Sequence, residues 1–294
     1  IDHTNEHSNP TTNNTNLYID SELVVDLYIP DGEIQIKQYA FVGCDSIKSL
    51  SMADTVNTVY TGAFKRALAL EKVVIGTSVL NIGDYAFNQC ASLSGTLTLP
   101  ESLESIEHSC FSGCSMLSGN LVLPSKLKVI STSCFQNCAG LTGSLIIPEG
   151  VESIENSAFW GCDGFNGTLT LPEGLKEIGW GAFLYCQFQG ELYIPKQIKK
   201  LPTYSFAVTH FSSIVFAEDS ELVIIGGGAG GGHEGAFMHC SRLCEPVILP
   251  KGVITIEARA FQDCSLLPEI VLPKSLTVIG NGAFSGCNSL SKIT

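Results

Sequence analysis

The sequence has few charged residues and no long apolar run, and each shortage excludes a class of protein. Charged side chains make up 15% of the 294 residues, and 29 acidic residues against 16 basic ones give a formal net charge of −13. Without clustered Lys and Arg, we expect no nucleic-acid binding and no attraction to an anionic membrane. No run approaches the roughly 20 apolar residues of a membrane span, so we predict no direct membrane insertion.

What the sequence does have is an internal repeat, marked by one phenylalanine. Neighbouring members are 23 or 24 residues apart, except for one interval of 31 that contains the sequence GGGAGGG at 226–232. Because removing seven residues restores the period, we interpret residues 225–235 as an insertion into one of eleven repeats. The phenylalanines are Phe41, Phe64, Phe87, Phe111, Phe135, Phe159, Phe183, Phe206, Phe237, Phe261 and Phe284.

The pattern around each phenylalanine predicts the structure of one unit. It reads L-x-x-I-x-x-x-A-F-x-x-C-x-x-L and is followed by L-x-L-P. The segment before the proline, such as 97–99 or 145–147, alternates and predicts a short strand, since proline cannot continue a ladder. The L-x-x-I segment indicates a second short extended side, and A-F-x-x-C a tight helical turn. A unit this short must stack on its neighbours to bury its apolar face, which predicts a solenoid with parallel strands.

Two segments complete the predicted domain organisation. Residues 24–294 form the solenoid, and residues 1–23 form a flexible polar segment, because the chain begins with an Asn- and Thr-rich stretch that is too polar to pack. The chain is therefore expected to be one repeat domain with a short tether.

The twelve cysteines raise the question of a metal site or of disulfides. Nine lie three residues after the phenylalanine, where the other two units have Ala67 and Thr209, so this position indicates a buried ladder of small side chains. The Cys-x-x-x-Cys pairs that begin at Cys110 and Cys134 join it to another small position, and no second pair at zinc-site spacing faces them. The nine are Cys44, Cys90, Cys114, Cys138, Cys162, Cys186, Cys240, Cys264 and Cys287.

The neighbours of these cysteines do not favour a ligand set. His108 lies close to Cys110, but Thr132 takes its place in the next unit. Stacked cysteines would have parallel Cβ vectors, which disfavours a disulfide. We therefore predict mostly buried thiols, no metal and no cofactor, with Cys244 lying outside the ladder.

The stretch GGGAGGGHEGAFMHC at 226–240 is the other candidate for chemistry. A phosphate-binding loop needs Lys-Ser or Lys-Thr after the glycines, and a zinc protease needs His-Glu-x-x-His. Neither is present, because His233-Glu234 is followed by Gly235 and the next histidine is His239. We interpret this stretch as an excursion from one turn of the solenoid and predict that the protein is not an enzyme.

One row of residues remains as a candidate binding surface. The middle residue of each L-x-L strand points away from the core, and no member of the row is charged. Such a row reflects either strand-forming preference alone or a docking surface for a protein. We call it the outward row and predict that it binds the partner. Its members are Tyr28, Ser51, Val74, Thr98, Val122, Ile146, Thr170, Tyr193, Val215, Ile248 and Val271, of which all but Ser51 are the predicted partner-binding residues.

The repeat resembles the BspA-like branch of the leucine-rich-repeat family over about residues 24–294. SLTVIGNGAFSGCNSLSKI at 275–293 matches the family pattern, as does the LLPEIVLP before it. The resemblance implies an α/β-class leucine-rich-repeat solenoid of about eleven repeats. This would be a right-handed curved horseshoe with a parallel sheet on its concave face. It also implies a secreted or cell-surface location, adhesion to host matrix proteins or to other cells, and no catalytic residues.

The functional hypothesis is a non-enzymatic, monomeric, secreted or cell-surface protein that binds a protein ligand through the outward row. Extracellular-matrix and host-surface proteins are the expected partners. Three alternatives stay open at this point. They are a structural spacer in a larger surface protein, an enzyme or metal site within 226–240, and an intracellular scaffold.

Overall fold

Each unit of the repeat contributes two short strands, and equivalent strands of successive units pair in parallel. The computed structural model describes residues 11–13, 16–226 and 235–294. It shows a parallel-strand β-solenoid of about eleven turns, as the repeat predicts. The predicted insertion at 225–235 lies almost entirely outside the described residues.

The twenty-four strands of the described residues are short. They are β1 (Thr11–Asn13), β2 (Asn16–Ile19), β3 (Glu22–Leu23), β4 (Asp26–Ile29), β5 (Gln35–Ile36), β6 (Ser49–Met52), β7 (Thr58–Val59), β8 (Lys72–Val74), β9 (Asn81–Ile82), β10 (Ser105–Ile106), β11 (Val129–Ile130), β12 (Leu145–Ile146), β13 (Ser153–Ile154), β14 (Leu169–Thr170), β15 (Glu177–Ile178), β16 (Gln189–Ile194), β17 (Lys200–Leu201), β18 (His210–Phe216), β19 (Ile224–Ile225), β20 (Val247–Ile248), β21 (Thr255–Ile256), β22 (Glu269–Val271), β23 (Val278–Ile279) and β24 (Lys292–Ile293).

The L-x-L segments form the first ladder, which comprises β4, β6, β8, β12, β14, β16, β18, β20, β22 and β24. Its register joins equivalent residues of neighbouring units, such as Leu145 with Leu169. The strand predicted at 97–99 is not formed, although Leu97 and Leu99 are buried. Pairing there is limited to single parallel bridges such as Gly95 to Leu117. Gly95 has a φ of 79° at this turn, but Gly143 has a φ of 80° just before the regular strand β12, so the turn alone does not explain the difference.

The L-x-x-I segments form the second ladder, as predicted. It comprises the four-stranded sheet β10-β9-β7-β5, the three-stranded sheet β11-β13-β15 and the four-stranded sheet β17-β19-β21-β23. The pairs are again one unit apart, for example Ser153 with Glu177 and Ile154 with Ile178. The second residue of each of these strands is buried, except Ile279 of β23, and the first residue is half-buried or exposed.

The tight helical turn predicted for A-F-x-x-C is wrong for the described residues, which contain no helix. The reason is the backbone on either side of the phenylalanine. The residue two positions before the phenylalanine has a positive φ in ten units, and the residue two positions after it has one in all eleven. These positive φ values interrupt helical geometry. The first set is Tyr39, Gly62, Tyr85, Ser109, Ser133, Ser157, Gly181, Tyr204, Arg259 and Gly282, and the second is Gly43, Arg66, Gln89, Gly113, Asn137, Gly161, Tyr185, Val208, His239, Asp263 and Gly286.

This alternation divides the backbone hydrogen bonds between two directions. Around Phe111, every second N–H donates to the following unit, and those between them close turns within the unit. The bonds to the following unit are Ser109 N to Thr132 O at 2.9 Å, Phe111 N to Cys134 O at 2.8 Å and Gly113 N to Gln136 O at 2.8 Å. Each N–H group from Ser109 to Cys114 therefore has a backbone acceptor, and every second one joins this unit to the next.

The phenylalanines stack face to face along the core, which confirms the predicted ladder. All ten neighbouring pairs have ring centroids 5.1 to 5.7 Å apart and planes within 15° of parallel. A second stack of Phe165, Phe188 and Phe211 lies edge-on to it. Aromatic contacts therefore join every unit to the next.

Strands are found ahead of residue 24, where the solenoid was predicted to begin. β2 pairs antiparallel with β1 on one side and with β3 on the other, although all three fall in the segment 1–23 that was expected to be flexible. Leu17 is buried, and its N–H donates to the hydroxyl of Ser46 at 3.0 Å, because an apolar residue within this polar stretch finds a place on the first unit. Residues 1–10 and 14–15 lie outside the described residues. The right-handed curvature, the horseshoe shape and the concave position of the first ladder stay predictions.

Candidate binding surfaces

The outward row lies on the first ladder, where six of its large side chains are exposed. Val122 is 67% exposed, and Ile146 and Ile248 are each 65% exposed, although both of their chain neighbours are buried. Thr98 and Thr170 are also exposed, whereas Ser51, Tyr193 and Val271 are half-buried. The remaining exposed members are Tyr28, Val74 and Val215.

Strand register brings members of the row side by side. Tyr28 pairs with Ser51, which in turn pairs with Val74. Ile146 pairs with Thr170 further along. The remaining pairs are Tyr193 with Val215 and Ile248 with Val271. Thr98 and Val122 lie in the units without regular strands, so exposure alone links them to the row.

Charged side chains lie beside the outward row, but no member of the row is charged. Ion pairs join successive units at or next to strands of the first ladder, among them Lys48 with Glu71 at 3.9 Å and Lys292 with Glu269 at 2.6 Å. Partial burial, together with the nearby Glu173 carboxylate, raises the pKa of Tyr193 and keeps that member neutral. Exposed pairs of this kind contribute little stability, so their effect is to frame an uncharged surface.

The cysteine ladder is part of the core. Ten of the twelve cysteines are buried, Cys287 is half-buried and Cys244 is exposed, and all are free thiols. In eight units the thiol donates to the phenylalanine carbonyl of the preceding unit at 3.0 to 3.2 Å, as Cys114 does to Phe87. Burial raises the pKa of Cys90 to about 12. Thiols that stay protonated are poor nucleophiles and poor metal ligands.

The structure does not bring together the residues that suggested a metal. His108 contacts the ring of Tyr85, and its Nε2 lies 3.1 Å from the hydroxyl of Ser109. Among the described residues, no group of three His, Cys, Asp or Glu side chains is placed to hold a metal ion. His233 and Glu234 of the glycine-rich stretch lie outside the described residues, and His239 lies 3.3 Å from the carboxylate of Asp263.

A second surface, which the sequence did not reveal, is a groove of about 850 Å³ against the second ladder. It is lined by the outward residues Ser153, Glu177 and Lys200 of that ladder and by Asn156 and Trp180. These residues come from three units, so no local motif marks them. The sequence offers little signal, because the outward residue of the L-x-x-I segment is polar in most units and not in these three alone.

A sequence profile of the BspA type leucine rich repeat region matches six copies over residues 14–142, 140–229 and 233–294. The chain belongs to this family. A search of curated proteins found no match.

Solved structures similar to this BspA-type chain come from bacteria. A leucine rich cell surface protein of Faecalibacterium prausnitzii is 20% identical, with a TM-score of 0.51, covering 97% of this chain and 94% of that one. A leucine-rich repeat protein of Bacteroides ovatus is 22% identical, with a TM-score of 0.51 and coverage of 98% and 93%. The Leucine Rich Repeat protein of Treponema pallidum is 31% identical, with a TM-score of 0.51, over 55% of this chain and 76% of that one. The first two likenesses show the fold alone.

Family and fold together favour binding at a surface. Leucine-rich-repeat proteins are usually binding proteins, and family and neighbours suggest a surface or secreted location. In the described part of the chain, no helix has the length and apolarity needed to cross a bilayer.

Proposed function

We propose that this BspA-type protein is a non-enzymatic, secreted or cell-surface adhesin that docks a host or matrix protein on its outward row. The observation that carries the proposal is the exposure of large apolar side chains at Val122, Ile146 and Ile248, each of which lies between two buried chain neighbours. Exposed large apolar side chains on an uncharged surface are typical of a protein-binding site.

The dimensions of the row support a protein as the partner. Eleven turns at a strand spacing of about 4.8 Å give a surface roughly 50 Å long. A standard protein interface takes about 800 Å² from each partner, which a surface of this length supplies. The partner would bury apolar side chains that now face water, and this burial is the main source of its affinity.

The experiment is a binding screen against immobilised extracellular-matrix and host-surface proteins. It compares the chain with a variant carrying Val122→Lys, Ile146→Lys and Ile248→Lys. The matched control carries Leu68→Lys, Met116→Lys and Ile254→Lys, which are exposed apolar residues outside the row. Both variants gain three positive charges, so a change in net charge alone affects them equally. Circular dichroism and thermal unfolding confirm that each variant folds.

The proposal predicts binding by the chain and by the control variant, with at least a tenfold loss in the row variant. The competing hypothesis, a structural spacer within a larger surface protein, predicts that the row variant behaves like the control. Equal binding by both variants would overturn the docking role of the row.

A further inference from the structure

The groove against the second ladder is chemically distinct from the outward row. The row is uncharged and largely apolar, whereas the groove is lined by Glu155, Glu177, Lys176, Lys199 and Lys200 in addition to Ser, Thr and Asn side chains. Two acidic and three basic residues nearly balance, in a protein with a formal charge of −13. The groove therefore favours neither a polyanion nor a polycation.

Several polar groups of the groove have unused hydrogen-bonding capacity. The Oδ1 atom of Asn156 accepts from the backbone N–H of Trp180 at 2.8 Å, and its NH₂ group has no acceptor among the described residues. Within the described residues, the side chains of Glu177 and Lys200 have no hydrogen-bond or ion-pair partner. By contrast, Glu155 is committed to the N–H and hydroxyl of Thr132 at 2.9 and 2.8 Å. Donors and acceptors therefore alternate along the groove.

An aromatic ring is fixed beside these polar groups. The indole of Trp180 is in edge contact with Trp160 at 5.5 Å and with Tyr204 at 5.8 Å, both at interplanar angles near 80°. Contacts from two neighbouring units hold the ring in one orientation, so little rotamer entropy is lost on binding. The two tryptophans of the chain both belong to this cluster.

We propose that this groove binds a neutral oligosaccharide, with Trp180 as the platform for one sugar ring. A sugar presents apolar C–H faces that pack on an aromatic ring and hydroxyl groups that donate and accept hydrogen bonds. This combination matches an indole next to the amide of Asn156, the carboxylate of Glu177 and the ammonium of Lys200. The groove crosses four units, about 14 Å at the spacing of parallel strands, which accommodates a short oligosaccharide. Its volume falls in the range of small-molecule sites.

The test titrates the full chain with cellohexaose, maltohexaose, mannohexaose and N-acetylchitohexaose. Calorimetry measures affinity, and intrinsic fluorescence reports on the site because Trp180 lines the groove and Trp160 contacts it. The Trp160→Phe variant leaves Trp180 as the sole tryptophan and keeps an aromatic neighbour. We expect at least one hexasaccharide to bind, with a fluorescence change that persists in Trp160→Phe.

Variants within the groove sharpen the test. Trp180→Ala should weaken binding at least tenfold, and the shape-conserving Glu177→Gln and Lys200→Met should each weaken it by threefold or more. These two exposed substitutions keep the test valid if Trp180→Ala does not fold. The row variant with Val122→Lys, Ile146→Lys and Ile248→Lys should bind the sugar unchanged, so the two proposals fail independently.

Two outcomes would overturn the assignment. One is the absence of heat and of a fluorescence change with all four hexasaccharides at 10 mM, on the order of the weakest affinities of interest. The other is binding that survives Trp180→Ala, Glu177→Gln and Lys200→Met alike, which would place the sugar elsewhere on the protein.

Discussion

The thiol of Cys138 donates to the main-chain oxygen of Phe111 in the preceding unit, with 3.2 Å between sulfur and oxygen. The same oxygen also accepts from the backbone N–H of Cys114 at 3.1 Å. Each such carbonyl is thus satisfied twice, once within its unit and once by the next. This explains why cysteine suits the position better than a purely apolar residue of its size. It fills the core and also joins adjacent turns.

Replacing Cys138 by alanine should lower the free energy of unfolding by about 1–2 kcal/mol, since it removes a buried sulfur and a hydrogen bond. The matched control is Cys134→Ala. Cys134 is buried too, but its thiol makes no hydrogen bond among those of the described residues, and Ala158 stands at the equivalent position of the next unit. Guanidinium unfolding under reducing conditions measures both. Equal losses in the two variants would contradict a stabilising role for the thiol bond.

Alkaline pH should destabilise the protein through its buried thiols. Burial raises the pKa of Cys90 from its ordinary value of 9.0 to about 12, and it raises those of Cys110 and Cys114 well above the ordinary value. At a pH between the ordinary pKa and the raised pKa, the thiol has lost its proton in the unfolded chain but keeps it in the folded chain. The free energy of unfolding therefore falls as pH rises, by about 1.4 kcal/mol per pH unit for each such thiol.

The measurement is the free energy of unfolding from pH 7 to pH 11. We expect the thiols whose pKa is raised to contribute no slope below about pH 8 and a fall in the free energy of unfolding above pH 9. Tyrosine and lysine also titrate at high pH, so the Cys90→Ala variant is the control. Its slope should be shallower than that of the parent protein, and an unchanged slope would show that thiol ionisation does not drive the transition.

Truncating one ring of the phenylalanine stack should be costly. Phe135 is fully buried between Phe111 and Phe159, each with its centroid 5.6 Å away. Phe135→Ala should cost about 3–5 kcal/mol, because it leaves a cavity between two stacked rings. Phe284→Ala should cost less, since Phe284 is half-buried and stacks on Phe261 alone at 5.7 Å. Denaturant unfolding compares the two, and similar costs would argue against stacking as the source of stability.

Much of this core was predictable because it repeats. The stacking of Phe135 and the burial of Cys138 follow from side chains that recur at one position every 23 or 24 residues. The error in A-F-x-x-C has a physical origin. Its apolar spacing of three is also that of a helix face, while the left-handed backbone at Tyr39 or Ser109 leaves no mark in residues that are neither Gly nor Asn.

The groove was beyond prediction for a different reason. Asn156, Trp180 and Lys200 stand 20 to 24 residues apart, and they meet because the coil stacks three units. None of these residues occurs at its position in most other units, so alignment of the repeats treats them as variable surface. A site formed by residues that differ from those at the equivalent positions of other units becomes visible only in the three-dimensional structure.

Relief of backbone strain gives the last prediction. Val208 has a φ of 58°, a conformation in which a β-branched side chain crowds the backbone. Asn137 occupies the equivalent position of another unit with a φ of 59°, and asparagine tolerates this region. The N–H of Val208 donates to the carbonyl of Met238 at 2.8 Å, so the conformation is required for contact with the next unit.

Val208→Asn should therefore raise the free energy of unfolding by about 1 kcal/mol, because the fold keeps its hydrogen bond and loses the strain. The reverse substitution, Asn137→Val, should lower it by a similar amount. Thermal and denaturant unfolding of both variants measure these changes. If Val208→Asn were destabilising while Asn137→Val were neutral, apolar contacts of the side chain would outweigh backbone conformation at this position. The strain would then not limit the stability of the coil.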